Sequence, residues 1–192
     1  MLSTPVYIVA FVGLIVFAFI VFRIFVRRSY LRRGRLTWLS SSLELLVFFL
    51  FGTLVWLDLP SGWPPKDVHP ILRAVSWLCI AIGLSAMFIL IFWFGWLRAM
   101  GQNVDALIQS GPYRMTRNPQ IIACFIAVFG YALFWPSWHT LGWVILFSVM
   151  AHVMVLTEEE HLRNIFGERY IQYCTRAPRY MGVRCLFSRL AL

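Results

Sequence analysis

Acidic residues are scarce in this chain: eight Asp and Glu stand against 17 Lys and Arg in 192 residues, and charged side chains make up only 13% of the whole. With 60% hydrophobic residues and a mean hydropathy of +0.75, too little polar surface remains to cover a soluble domain of this size. No Gly-x-Gly occurs, so no dinucleotide-binding fingerprint is available. His-Glu-x-x-His and P-loop patterns are missing as well, which removes the commonest metalloprotease and NTPase readings. Internal repeats and low-complexity tracts are absent too. The four cysteines lack metal-type spacing. Cys79 and Cys124 lie inside apolar runs, and Cys174 and Cys185 fall in the polar C-terminal part, so four free thiols and no disulfide framework are expected.

What the chain has is long apolar runs. A helical membrane span needs about 20 mostly apolar residues, and five stretches approach this: Pro5–Val26, Leu43–Leu59, Ile71–Leu97, Gln120–Trp135 and Trp138–Leu156. The fourth is short, which suits a tilted or kinked helix or one arm of a broken hairpin. Trp135, Pro136 and Trp138 form its turn to the fifth, and tryptophan favours the membrane interface. The expected fold is all-α and polytopic, with about five transmembrane helices. Residues 1–97 supply the first three spans, and residues 98–192 the remainder with the polar motifs.

The net charge of +9 is segregated. Arg23, Arg27, Arg28, Arg32, Arg33 and Arg35 follow the first span. Arg98, Arg114 and Arg117 lie between the third and fourth, and Arg163, Arg169, Arg176, Arg179, Arg184 and Arg189 follow the fifth. Only Lys66 and Arg73 fall on the opposite side. The positive-inside rule then puts the N-terminus outside and the polar motifs in the cytoplasm, and makes nucleic acid an unnecessary partner. Because the first run is long, has no basic residues before it and ends in arginines, it reads as a span and not a cleaved signal. Ser41 followed by Glu44 has the spacing of a capping box, so Glu44 is expected to close a helix start.

Two polar passages interrupt the apolar chain. In Gly111-Pro112-Tyr113-Arg114-Met115-Thr116-Arg117-Asn118-Pro119, glycine and proline stop any long helix. Arg114 and Arg117 are three apart, so helical backbone there would align them as an anion clamp or as headgroup contacts. Thr157-Glu158-Glu159-Glu160-His161-Leu162 leaves the last apolar run with three carboxylates in a row. His152 lies seven residues before Glu159, nearly two helical turns and therefore on the same face. Leu162, Phe166, Tyr170 and Tyr173 continue at helical spacing, as an amphipathic cytoplasmic helix on the membrane surface would.

These residues carry a resemblance. Gly111-Pro112-Tyr113-Arg114-x-x-Arg117-Asn118-Pro119, then Glu158-Glu159-x-x-Leu162-x-x-x-Phe166-Gly167-x-x-Tyr170-x-x-Tyr173 and Pro178-Arg179, resemble the C-terminal signature of the isoprenylcysteine carboxyl methyltransferase and phospholipid methyltransferase superfamily. Its members are helical membrane enzymes using S-adenosylmethionine. The resemblance implies a cofactor pocket built from Leu107, Ile108, Tyr113, Arg117, Asn118, Pro119, Gln120, Ile121 and Glu158, with Glu159 beside it. Glu158 would bind the cofactor's amine or ribose, Asn118 and amides near Gly111 its carboxylate, and Tyr113 with Leu107 and Ile108 its adenosine. The eukaryotic carboxyl methyltransferases have His where Asn118 stands and Tyr where Ile121 stands. Their arginine for the substrate carboxylate corresponds here to Met154.

The implied activity is methyl transfer to a membrane lipid, a prenylated small molecule or a prenylated protein C-terminus, most like isoprenylcysteine carboxyl methylation. A carboxylate acceptor is already ionised at neutral pH and needs no base. An amine headgroup would need a proton acceptor, for which His152, His161 and Glu159 are the candidates. An NADPH-dependent reductase of the sterol type and a non-catalytic relative are the rival readings.

Overall fold

The computed structural model describes residues 1–60, 68–103 and 105–181; Lys66, Arg184, Cys185 and Arg189 lie outside this set. Within it the regular structure is helical throughout. Four helices are long and apolar enough to cross a membrane: α1 (Thr4–Arg33), α2 (Trp38–Leu57), α3 (Pro70–Phe94) and α5 (Trp138–Phe166). The shorter α4 (Pro119–Phe134) pairs with α3, and α6 (Glu168–Arg176) follows α5 after a bend at Gly167. The chain is therefore a polytopic integral membrane protein, with the expected five apolar helices.

Local chemistry sets the boundaries. Pro5, Pro70 and Pro119 stand in the first turns of α1, α3 and α4, where a missing N–H costs nothing. Gly34 closes α1 in the left-handed conformation at φ 66°. The side chains of Ser137 and Thr140 cap the start of α5 reciprocally. α1 continues past Val26 to Arg33, and α5 past Leu156 to Phe166, so both polar ends are helical and leave the apolar layer as rigid rods. Between Val21 and Val26 α1 widens into a π-helical turn. From there Arg23 and Arg27 reach Glu160 on α5, at 3.4 and 2.6 Å.

The expected capping box at Ser41 is overturned. Helix α2 begins earlier, at Trp38, and its cap is Thr37, whose hydroxyl accepts from the Ser40 amide at 3.2 Å. Ser41 instead donates to the Met100 carbonyl at 2.8 Å. Ser41, Val47 and Phe51 are buried, which puts Glu44 in the middle of the inward stripe of α2.

The core lies between α1, α2 and α5, where Phe22, Val26, Val47, Trp143, Leu146 and Val155 are fully buried. Helices α3 and α4 form a closely packed hairpin. A Cβ on Gly83 would come within 2.6 Å of the Ala123 carbonyl, and one on Gly130 within 2.7 Å of Cys79, so small residues set the approach of the two backbones.

At the membrane face that holds the N-terminus, Asp58 is 2% exposed. It accepts from Trp143 Nε1 at 2.8 Å and the Leu2 amide at 2.8 Å, and His139 Nδ1 lies 3.1 Å away. One carboxylate thus ties the start of α1, the end of α2 and the start of α5 together. Replacing Asp58 with Ala leaves the buried indole N–H of Trp143 without an acceptor and is expected to cost about 1–3 kcal/mol. Thermal unfolding in detergent checks this, and an unchanged midpoint would show that the cluster carries no stability.

Candidate active site

The residues singled out in the sequence gather at the opposite face, where α1 ends, α2 begins, α3 ends and α5 emerges. Gly95, at φ 91°, stops α3, and Gly111 opens a single 3-10 turn (Gly111–Arg114) ahead of α4. Gly111 has φ 56°, and a Cβ there would meet the Trp93 ring at 2.8 Å, so only glycine fits. Behind it, Tyr113 is buried between Trp93 and Phe94, and its carbonyl accepts from the Tyr173 hydroxyl at 2.7 Å. Burial, followed by the Glu158 carboxylate and then by Tyr173, pushes the Tyr113 phenol well above its ordinary value.

After α6 the chain returns across the site as a strap of residues 177–180. The Arg117 amide donates to the Pro178 carbonyl at 2.9 Å. Thr116 Oγ1 and Asn118 Nδ2 both donate to the Arg179 carbonyl, at 3.0 and 3.1 Å. The Arg179 guanidinium grips Glu159 with two bonds, Nε to Oε1 at 3.1 Å and Nη2 to Oε2 at 2.7 Å. Arg117 approaches the same carboxylate at 3.2 Å, and its Nη1 also contacts the Cys174 sulfur and the Tyr170 hydroxyl. His152 Nδ1 lies 3.1 Å from the hydroxyl of Tyr180, at the end of the strap.

Several sequence expectations change here. Arg114 and Arg117 form no clamp, because the 3-10 turn leaves Arg114 exposed and buries Arg117 against α6. Arg117 and Glu159, which the sequence offered as cofactor-binding and catalytic residues, are 7% and 4% exposed and hold each other. The Asn118 amide is engaged by the strap. Leu107 packs against the cluster of Tyr170, Tyr173, Cys174 and Ala177, Ile108 is half-buried, Pro119 is buried as the first residue of α4, and Ile121 packs on the main core. Gln120 carries a buried Nε2 with no partner among the described residues. His152 and Glu159 do share a face, since both meet the strap.

Glu158 stands apart from its neighbours. It lies in the interior seam of α5 between buried Met154 and His161, with Glu44 of α2 and Tyr30 of α1 in its field. Among the described residues no cation lies within ion-pairing distance of Glu158 or Glu44, in contrast to Glu159 and Glu160. His161 stacks on Tyr30 at 3.8 Å, and its Nε2 has no partner among the described residues. Sequence reasoning missed Tyr30 and Glu44. The signal for Glu44 was there, an acid within an apolar run, but its spacing from Ser41 favoured a cap. Nothing in the arginine-rich stretch marked Tyr30.

A cavity of about 540 Å³ opens at this face between Arg33, Arg35, Trp38, Gln102, Asn103 and Asp105. Among the described residues no three His, Cys, Asp or Glu side chains cluster as a metal site would require. Cys79, Cys124 and Cys174 are free thiols, as expected; Cys185 lies outside the described residues.

A model of the phospholipid methyltransferase family matches residues 72–169, more than half of the chain, from the third residue of α3 to the second of α6. The chain belongs to the phospholipid methyltransferase family. That family belongs to the isoprenylcysteine carboxyl methyltransferase-like superfamily. It is also similar to the cobalt-zinc-cadmium resistance protein CzcN of Cupriavidus metallidurans, 26% identical over 150 residues. The alignment covers 78% of this chain and 63% of that relative's length. No solved structure matches. The family match takes in Gly111 to Pro119 and the glutamate run, but not Tyr30, Glu44 or the strap.

The clamp on Glu159 has a measurable consequence. Glu159→Gln strands the buried Arg117 and is expected to cost about 3–5 kcal/mol of stability. Thermal unfolding of the purified variant in detergent checks it. A Glu159 that served chemistry alone would leave the midpoint unmoved.

Proposed function

We propose that this chain is an integral membrane S-adenosylmethionine-dependent methyltransferase, acting on a lipophilic acceptor at the cytoplasmic membrane face. The observation that carries the reading is Glu158, a half-buried carboxylate on the inner side of α5 with no cation in ion-pairing range among the described residues. A carboxylate partly withdrawn from water gains by meeting a ligand of opposite charge. The cofactor brings an activated methyl group on a sulfonium, and a cationic amine that suits Glu158.

The residues present fit that group. Glu158 would hold a positive charge, the orphaned Gln120 amide is a free donor for a carboxylate or ribose oxygen, and Gly111 lets backbone come close. Tyr113, held by Trp93 and Phe94, would bound the adenosine side of the site by its edge, with Leu107 and Ile108 before it in the chain. Arg117, Asn118 and Glu159 act one step back: they fasten the strap and thereby set the position of Glu158, their neighbour on α5. The arginines gathered at this face support its cytoplasmic assignment. On this reading the site draws Tyr30 and Glu44 from residues 1–97 and the rest from residues 98–192.

Such an enzyme has chiefly to align the acceptor and exclude water, because the leaving group departs neutral. A prenylcysteine carboxylate has no cation waiting for it at position 154, where Met154 is buried. Titration of the purified protein with S-adenosylhomocysteine and with NADPH tests the assignment. Binding of the first is expected, weakened about tenfold or more by Glu158→Gln, as loss of a charge-assisted bond requires. Stabilisation by NADPH alone would assign the chain to a reductase chemistry instead.

A further inference from the structure

The arginines of α1 fall into two sets. Arg23 and Arg27 are spent on Glu160, whereas Arg33 and Arg35 pair with no carboxylate among the described residues, and both line the cavity of about 540 Å³. The walls of that cavity are fastened to each other by the protein itself. The Leu36 amide donates to the Gly101 carbonyl at 2.8 Å, and the Ser41 hydroxyl to the Met100 carbonyl at 2.8 Å. A Cβ on Gly101 would come within 2.7 Å of both Leu36 and the Tyr30 hydroxyl, so the loop after α3 is seated directly on the turn between α1 and α2. Ser29 accepts from the Thr37 amide at 3.0 Å and donates to the Arg35 carbonyl at 3.1 Å, which fixes the turn that carries the two arginines.

We propose that this cavity seats the phosphate of an anionic phospholipid whose headgroup carries no cation, held as a resident lipid and not as the methyl acceptor. The inference stands apart from the methyltransferase reading. Charge selects the headgroup. The lining sets two guanidiniums against one carboxylate, that of Asp105. A headgroup with its own ammonium would bring that charge up against Arg33 and Arg35, whereas a net negative one is attracted by the pair. Guanidinium forks match phosphate oxygens, and basic pockets between membrane helices suit anionic headgroups. Asp105 offers an acceptor to a headgroup hydroxyl, such as those of a glycerol, and the Gln102 amide adds a neutral donor on the same lining.

Position decides that the phosphate comes on a lipid. The cavity opens where two membrane-spanning helices meet the polar layer, since Trp38 begins α2 and Leu97 stands three residues past the end of α3. Trp38 is 70% exposed, and Leu97, Trp93 and Phe92 are exposed as well. Tryptophan at such a boundary favours the headgroup level. A phosphate between the arginines therefore leaves its acyl chains beside apolar surface on α2 and α3, which a soluble anion would not use.

The full chain, purified in a neutral detergent, is titrated with dioleoylphosphatidylglycerol, dioleoylphosphatidylcholine and glycerol phosphate, and native mass spectrometry counts the molecules bound. A single phosphatidylglycerol is expected to bind about tenfold tighter or more than phosphatidylcholine, and glycerol phosphate at equal concentration should not displace it. Arg33→Gln with Arg35→Gln should abolish that preference. Arg28→Gln with Arg32→Gln removes the same charge from exposed positions of the same helix outside the cavity lining, and should leave the preference within about twofold of the wild-type value. Thermal unfolding without lipid is expected to be alike for both variants, which separates lost binding from lost folding. Equal loss of preference in the two variants would mean diffuse surface charge and overturns the proposal, as does a preference that survives Arg33→Gln with Arg35→Gln. Equal or tighter binding of phosphatidylcholine to the wild-type chain overturns it too, and displacement by glycerol phosphate would assign the cavity to a soluble phosphate instead.

Discussion

A carboxylate removed from water is tolerated only where cations or hydrogen-bond donors replace the hydration it loses. Glu159 meets that condition fully, with the Arg179 fork on one edge and the Arg117 guanidinium on the other. Three parts of the chain otherwise free to drift are fixed by this one group: the passage before α4, the helix α5 and the strap after α6. The hydrogen bonds from Thr116 and Asn118 to the Arg179 carbonyl make the same connection through the backbone. Adjacent Glu158 is the contrast. It stays on the rigid rod that the clamp holds, one position along and half-buried, with no cation in ion-pairing range among the described residues.

The two membrane faces divide the work between them. At the face with the N-terminus, Asp58 spends its lone pairs on an indole, a backbone amide and an imidazole, which leaves no capacity for a ligand. Its role is to hold α1, α2 and α5 in register. At the opposite face the same three helices end in polar groups that the protein does not saturate. The π-helical turn of α1 belongs to this design, because the widened backbone turns Arg23 and Arg27 toward Glu160 and brings Tyr30, one turn later, under His161. Of the three consecutive glutamates, two are consumed in ion pairs, and Glu158 pairs with no cation among the described residues.

Hydropathy and the arginine pattern made the membrane fold legible, because twenty-residue apolar runs have few other uses and proline and glycine mark their ends. The site was legible where its chemistry is local in sequence: the Gly111 to Pro119 bend and the glutamate run were visible as polar breaks. What could not be read was which group would be spent on which. Arg117 and Glu159 look like ligand-binding residues on paper, and only the return of the chain after α6 shows them bound to each other. Glu44 was misjudged for a related reason. Its distance from Ser41 satisfies a local capping rule, but the Met100 carbonyl, 59 positions on, competes for the serine hydroxyl and wins. Long-range partners leave no trace in spacing.

This division has a consequence for how one scaffold could serve different acceptors. The matched residues, 72–169, hold Tyr113, Gln120 and Glu158, which on the methyltransferase proposal would face the cofactor. A cofactor that never varies needs a fixed distance between its wall and its countercharge, and the α3–α4 hairpin with the clamped α5 provides rigid elements for that. Tyr30 on α1 and Glu44 on α2 stand on membrane-spanning helices outside the match. Side chains on α1 and α2 can therefore vary without disturbing the clamp, because Arg117, Glu159 and Arg179 all lie beyond those helices in the chain and hold one another.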